Sequence, residues 1–383
     1  MKIAFFLPNL GGGGAERMQV HLANTLALRG HDVSVVVANA AGPVRGRLSP
    51  AVSLVDLKKE RCFAALLPLA QYLHRSRPQI LISAISHANV IAILARLLAP
   101  FSGSKVIATE RISLSRILRD ESRWWRLAFP LLPRLVYPLA AKVVGVSQGV
   151  ADEVQALAKL PDEKIATVYN PTIAAELAEL LAEEPGYQDL LALKRPIVAT
   201  VGRLQPQKDH ACLLRAFSRS AGQHAAILVI FGEGPLRQDL EDQAEELGIA
   251  DRVFFPGFVA NPLAFLKRCD LFVLSSRYEG FPNVLAEALY CGLPIVSTDC
   301  PHGPAEVLDG GRFGSLVPVG DEAALAEAMT AALVTRHDPE AQRRRAMEFS
   351  AEATADRYEA LFGEILHARR NKVWPARRSV MDS

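Results

Sequence analysis

Two carboxylates eight residues apart, Glu279 and Glu287, are the residues of this chain best placed to do chemistry. They stand in Arg277-Tyr-Glu-Gly-Phe-Pro-Asn-Val-Leu-Ala-Glu287. Carboxylates accept hydrogen bonds, so two of them suit sugar or ribose hydroxyls better than phosphate. A strand-like run, Leu271–Ser275, precedes them, and a helix-like run, Asn283–Cys291, follows. Gly292-Leu-Pro294 stops that helix and Pro294–Asp299 begins a new strand. The spacing therefore puts Glu279 on a strand-to-helix loop and Glu287 inside the helix. Gly280 lets the main chain approach a ligand closely. The amides of Phe281, Asn283 and Val284 open the helix, where free N–H groups suit an anion or a hydroxyl. A surface loop with one exposed helical Glu is the competing reading.

Other loops carry complementary chemistry. Gly11-Gly-Gly-Gly-Ala-Glu-Arg17 leads into a helix with Met18, Leu22 and Leu26 on one face. Gly13 and Gly14 can turn tightly there and aim amides at a phosphate. A Walker loop would need Gly-Lys-Ser/Thr where Ala15-Glu16 stands, and a dinucleotide fingerprint would need Gly or Ala at Glu16 or Arg17. Val201-Gly202-Arg203-Leu-Gln-Pro-Gln-Lys208 puts two cations on one loop. Arg203 and Lys208 can clamp a diphosphate and neutralise charge building on a leaving nucleotide. Gly232 and Gly234 follow one strand, and Gly257-Phe258 another, giving close approach to a flat base or merely tight turns. No histidine, cysteine or acid cluster has metal-ligand spacing, and no Asp-x-Asp is present. The two cations can do the work of a divalent ion, so no metal or other cofactor is expected.

These loops need strands to carry them. Apolar runs recur at Ile3–Leu7, Val33–Val37, Ile80–Ile82, Val106–Ala108 and Val143–Val146, then at Ile197–Val201, Ala226–Phe231, Val253–Phe255, Leu271–Leu274 and Ile295–Ser297. Strands so uniformly apolar are buried on both faces, so two parallel sheets covered by helices are expected. The fold class is α/β, with two doubly wound Rossmann-like domains facing each other across a cleft. The expected divisions are 1–171, a hinge at 172–194, a second domain at 195–350, and a terminal helix with a basic tail at 351–383. Ligands of open parallel sheets sit at the carboxyl ends of the strands, where these loops lie.

Composition narrows the partners. Among 383 residues the net charge is only +2, so nucleic acid is not expected to bind. Five widely spaced cysteines without C-x-x-C read as reduced thiols of a cytosolic protein. The apolar start, Met1–Pro8, reads as a strand and not a signal peptide. No apolar run reaches the roughly 18 residues that would span a bilayer. Arg116, Arg119, Arg123 and Arg126 fall on one side of a helix, beside Trp124 and Trp125. With the basic tail Arg369–Arg378, this predicts peripheral association with an anionic membrane surface; a solvated face is the alternative.

The motifs together resemble the retaining nucleotide-sugar glycosyltransferases of family 4, which have the two-domain GT-B fold. The resemblance implies that Glu279 lies beside the donor sugar and diphosphate and that Glu287 binds the ribose. It implies that the Gly-Gly-Ala-Glu-Arg17 loop meets the diphosphate across the cleft, and that the Gly232, Gly234 and Gly257-Phe258 loops flank the base. Gly202-Arg-Leu-x-x-x-Lys208 matches the family's spacing. Many relatives have a histidine after a mid-domain strand, and this chain has Thr109-Glu110-Arg111. That is similar to a Ser/Thr-Glu-Arg branch that often transfers N-acetylhexosamines to lipid-linked oligosaccharides. Glu110 would then accept from the acceptor hydroxyl and Arg111 would hold an acceptor phosphate. His87 and a structural Glu–Arg pair are the alternatives. The implied activity is retaining transfer of a sugar from a nucleoside diphosphate donor, expected to be UDP-linked, to a lipid-linked or polysaccharide hydroxyl. A nucleotide-sugar epimerase on the same architecture and a non-catalytic sugar-nucleotide sensor are the rivals.

Overall fold

A computed structural model describes residues 1–113 and 131–367. The first domain holds a parallel sheet of seven strands: β1 (Lys2–Leu7), β2 (Asp32–Val37), β3 (Ser53–Asp56), β4 (Ile80–Ala84), β5 (Lys105–Glu110), β6 (Lys142–Gly145) and β7 (Ile165–Thr167). Their spatial order is β3-β2-β1-β4-β5-β6-β7. The second domain holds β8 (Ile197–Val201), β9 (Ile227–Phe231), β10 (Val253–Gly257), β11 (Leu271–Leu274), β12 (Ile295–Thr298) and β13 (Ser315–Val317). These are also parallel, in the order β10-β9-β8-β11-β12-β13. Both orders reverse direction beside the first strand, at β1/β4 and β8/β11. That switch point is where loops diverge and leave a crevice.

The strand pleat explains why the runs are apolar throughout. Ile3, Phe5 and Leu7 face one layer, against Leu22, Leu26, Tyr358 and Phe362. Ala4 and Phe6 face the other, with Leu69, Leu73, Ile91 and Tyr137. In the second domain, Val198, Leu228, Ile230 and Val273 pack with Leu213, Phe217 and Met329. Both sides of each central strand are thus dry. Three strands escape the apolar pattern: β3, β7 and β13. All are sheet edges, short and partly exposed, so they lack the continuous apolar run.

The chain crosses between the domains twice, and the two crossings lie side by side. Thr172 and Ile173 donate main-chain hydrogen bonds to the Phe349 carbonyl, at 2.9 and 3.0 Å, and Ala351 donates to that of Ile173 at 2.9 Å. Tyr169, Phe281 and Phe349 stack there with centroids 5.3 to 5.6 Å apart. The terminal helix, Ala351–His367, then packs on the helix Gly14–Leu28 of the first domain. Arg29 reaches Asp356 and Glu359 from that domain, at 2.6 and 2.8 Å.

All five cysteines are free thiols, and four are buried. Burial pushes Cys62, Cys291 and Cys300 up to about 12, which makes them poor nucleophiles. Among the described residues no helix is long and apolar enough to cross a membrane. The arginine and tryptophan face at 116–126 and the basic tail at 369–378 lie outside the described residues.

Candidate functional site

The loops at the strand ends of both sheets converge on a cleft of about 440 Å³. The first domain contributes Gly12, Gly14, Arg17, Ser86, Glu110 and Arg111. The second contributes Gly202, Arg203, Lys208, Glu279, Gly280, Phe281, Asn283 and Val284. Most sequence-predicted residues are therefore brought together. Gly13, Gly232, Gly234, Gly257, Phe258 and Glu287 stand outside this lining.

The basic loop is laced to the acidic one. Lys208 Nζ lies 2.6 Å from Glu279 Oε1, and Ser276 Oγ donates to the same oxygen at 2.7 Å. The Lys208 stem passes over Gly202, where a Cβ would stand 3.2 Å from Cδ. Arg277 clamps Asp209 at 2.8 Å, and its amide donates to the Gln207 carbonyl. The buried His210 lies beneath this loop, against the backbone of Gly202 and Arg203. Burial, aided by Lys208, lowers this ring to about 4, so it underlies the loop as a neutral imidazole. Arg203 is exposed and makes no ion pair among the described residues. The loop thus presents one free guanidinium and one ammonium already partnered by the catalytic candidate Glu279.

The glycines turn out to serve contacts between loops as well. A Cβ on Gly232 would sit 2.0 Å from the Gly202 carbonyl oxygen, and one on Gly234 would sit 2.3 Å from that of Leu204. The Gly232 amide donates to the Gly257 carbonyl at 2.8 Å. These three loops are stacked edge to edge, a packing that side chains would prevent. Phe258 is 78% exposed beside them. Gly280 lines the cleft, but its close approach is to the first domain: a Cβ there would meet the Arg111 carbonyl oxygen at 2.0 Å. Gly13 is covered by the Glu16 carboxylate.

Glu287 lies on the inner face of the helix Asn283–Cys291 and pairs with Arg17 across the domain boundary at 2.5 Å. The loop Cys300–Glu306 also reaches across. Glu306 accepts from the amides of Gln148 and Gly149, at the start of the helix Gln148–Ala158, and His302 Nε2 lies 3.2 Å from Glu153. It is absent from the cleft lining, so it joins the domains instead of shaping the pocket.

Glu110 is 1% exposed and fully engaged. Oε1 accepts from Asn89 Nδ2 at 3.0 Å and from the Tyr137 hydroxyl, and Oε2 accepts from Ser86 Oγ at 2.9 Å. Glu110 and Arg111 make no ion pair with each other; Arg111 Nη1 instead donates to Asn170 Oδ1 at 2.8 Å. His87 lines a neighbouring apolar cavity with Phe63, Val90 and Ile91. Burial raises the Glu110 carboxyl to about 7, against the pull of its three hydrogen bonds. The folded state therefore holds this proton more tightly than the unfolded chain. Its stabilisation is complete below about pH 4.5 and is lost as pH rises through about 7. Glu110→Gln is expected to flatten that decline, which should be on the order of 3 kcal/mol in wild type. Melting curves across this range check it; parallel curves for the two proteins would contradict it.

Several contributors were not singled out in the sequence: Arg17 as the partner of Glu287, Ser86, Asn89 and Tyr137 around Glu110, and Asn170. Asn170 follows β7 in Tyr169-Asn-Pro171, where the turn residues read only as a boundary. Among the described residues no group of three or more His, Cys, Asp or Glu is placed to hold a metal.

Residues 12–175 match the family described as Glycosyltransferase Family 4, and residues 188–349 match Glycosyl transferases group 1. The N-acetylgalactosamine-N,N'-diacetylbacillosaminyl-diphospho-undecaprenol 4-alpha-N-acetylgalactosaminyltransferase of Campylobacter jejuni is 27% identical, over 84% of this chain and 87% of that protein. The lipopolysaccharide core biosynthesis glycosyltransferase LpsE of Rhizobium meliloti is 27% identical, over 90% and 94%. The crystal structure of Anabaena Alr3699/HepE in complex with UDP superposes with a TM-score of 0.75, at 21% identity, over 95% of this chain and 100% of that one. The chain is a glycosyltransferase of the GT-B fold, built from a Glycosyltransferase Family 4 domain followed by a Glycosyl transferases group 1 domain.

Proposed function

We propose that this glycosyltransferase moves a sugar, an N-acetylhexosamine in the first instance, from a UDP-linked donor to a hydroxyl of a lipid-linked oligosaccharide or polysaccharide. Retention at the anomeric carbon and independence from metal ions belong to the same proposal. The observation that carries it is the cleft itself, where Arg203, Lys208 and Glu279 of one domain face Glu110 and Arg111 of the other. The cationic side suits a diphosphate leaving group, whose developing charge it stabilises in place. The opposite wall offers the cation Arg111 to a phosphorylated acceptor; Glu110 stands behind it with its oxygens held by Tyr137, Asn89 and Ser86. The Campylobacter relative above acts, by its name, on a diphospho-undecaprenol-linked sugar, and HepE was crystallised with UDP. Both support the assignment of donor and acceptor. With the sugar held between the two walls, positioning and charge stabilisation supply the rate. The departing phosphate takes the acceptor's proton on the face it leaves.

The arginine and tryptophan pattern at 116–126 extends the proposal to a cytoplasmic enzyme resting on the inner face of the cell membrane. Each arginine near an anionic surface contributes about 1 kcal/mol, weakened by salt. The test uses the purified full chain with UDP-N-acetylhexosamines, alone and with membrane-extracted lipid acceptor. Slow hydrolysis alone and rapid transfer with acceptor are expected, together with salt-sensitive flotation on anionic vesicles. Conversion of the donor without acceptor would identify an epimerase, and donor binding without either reaction would identify a sensor.

A further inference from the structure

Among the described residues four cations face the cleft: Arg17, Arg111, Arg203 and Lys208. Arg17 and Lys208 are each neutralised by a carboxylate. Arg111 differs from both. It makes no ion pair among the described residues, although Glu16 and Glu110 lie near enough to favour its charge; its Nε is buried without a hydrogen bond, and Asn170 Oδ1 holds its Nη1 at 2.8 Å. Burial lowers it only to about 10, so it is a cation at neutral pH. A half-buried guanidinium with unused donors calls for an anion.

Its holder is unusually placed. Asn170 lies where the chain leaves the first domain. Its Nδ2 donates to Asn283 Oδ1 at 2.9 Å, at the start of the second domain's helix, and Thr172 Oγ1 donates to the same oxygen at 3.0 Å. The orientation of the Asn170 amide follows from chemistry. Arginine only donates, so the oxygen must face Arg111 and the nitrogen must face Asn283. A few atoms away, the Arg111 carbonyl rests on Gly280 of the second domain. The Arg111 side chain is thus aimed by a contact that exists only when the two domains meet.

We propose that Asn170 is a positioning residue that, clamped by Asn283 on domain closure, aims Arg111 at a phosphate group of the acceptor. Selection of phosphate-bearing acceptors is then coupled to closure. This rests on the reading of the cleft as a donor and acceptor site, and the test separates the two. The probe is inorganic pyrophosphate, titrated by calorimetry into protein already saturated with UDP, so that the donor site is filled. Wild type is expected to bind it. Asn170→Ala should weaken that binding about tenfold, the effect of losing the hydrogen bond that holds Arg111, with affinity for UDP unchanged. Asn170→Asp keeps an oxygen facing Arg111 but loses the donor to Asn283 Oδ1, so it breaks the clamp as the Ala variant does. Its carboxylate neutralises the guanidinium, so it should bind pyrophosphate more weakly than the Ala variant does. A purely structural Asn170 predicts the reverse order, with Asp the milder change. That order, or parallel loss of UDP affinity in the Asn170 variants, overturns the proposal. So does wild type that binds UDP but no pyrophosphate above it. Wild type that binds no UDP would instead overturn the donor reading of the cleft.

Discussion

Arg203→Ala is expected to lower kcat by about 100- to 1,000-fold while the protein melts as wild type does. The expectation rests on exposure. Arg203 lines the cleft, is solvent-exposed and makes no ion pair among the described residues, so its removal disturbs no packing. Whatever is lost is stabilisation of charge in the transition state. Lys208→Ala should cost a similar factor in kcat but should also lower stability. Its ammonium is 2.6 Å from Glu279, whose side chain is 8% exposed, and truncation leaves that carboxylate buried and unpaired. Comparing the two variants therefore separates chemistry from folding. Single-turnover rates and melting temperatures are the measurements. If both cations share the leaving-group charge, chelator leaves wild-type activity unchanged. Strict dependence on added Mg²⁺ or Mn²⁺ would refute this metal-free account.

The second large effect concerns the paired acids. Glu279→Ala is expected to reduce donor turnover by about 100-fold with little loss of affinity for free UDP. The Lys208–Glu279 pair gives a reason to expect that affinity to hold or rise, because the variant releases the ammonium toward a diphosphate. Glu287→Ala should raise the Kd for UDP about tenfold through lost hydrogen bonds to the ribose. Arg17→Ala is the necessary control. Arg17 and Glu287 form an ion pair across the domain boundary, so a purely structural latch would make the two variants equivalent. Equal loss of UDP affinity in Glu279→Ala and Glu287→Ala would reject the division of labour, and equivalence of Arg17→Ala with Glu287→Ala would leave the latch as the explanation.

Sequence alone determined the architecture and the chemical character of the loops. The central strands are buried on both faces, so their apolar runs mark them without ambiguity, and loop chemistry follows directly from position at strand ends. Arg203, Lys208, Glu279 and Asn283 needed nothing more, because each is placed by its own strand–loop–helix unit. The edge strands β3, β7 and β13 were not legible, since partial exposure removes the apolar signal on which the reading depended. What only the tertiary structure decided is which charges meet. Arg17 and Glu287 are 270 positions apart, and Lys208 and Glu279 are 71 apart. Local periodicity reports burial, not the partner that domain docking brings. Gly280 makes the same point. Its lack of a side chain suggested room for a ligand, and the structure fills that room with the Arg111 carbonyl of the other domain. Glu110 was legible as a polar group at a strand end, but its enclosure by Tyr137, Asn89 and Ser86 was not. That enclosure, which raises its proton affinity, depends on the helix after β4, Ser86–Leu98, and the segment before β6 folding over one carboxylate.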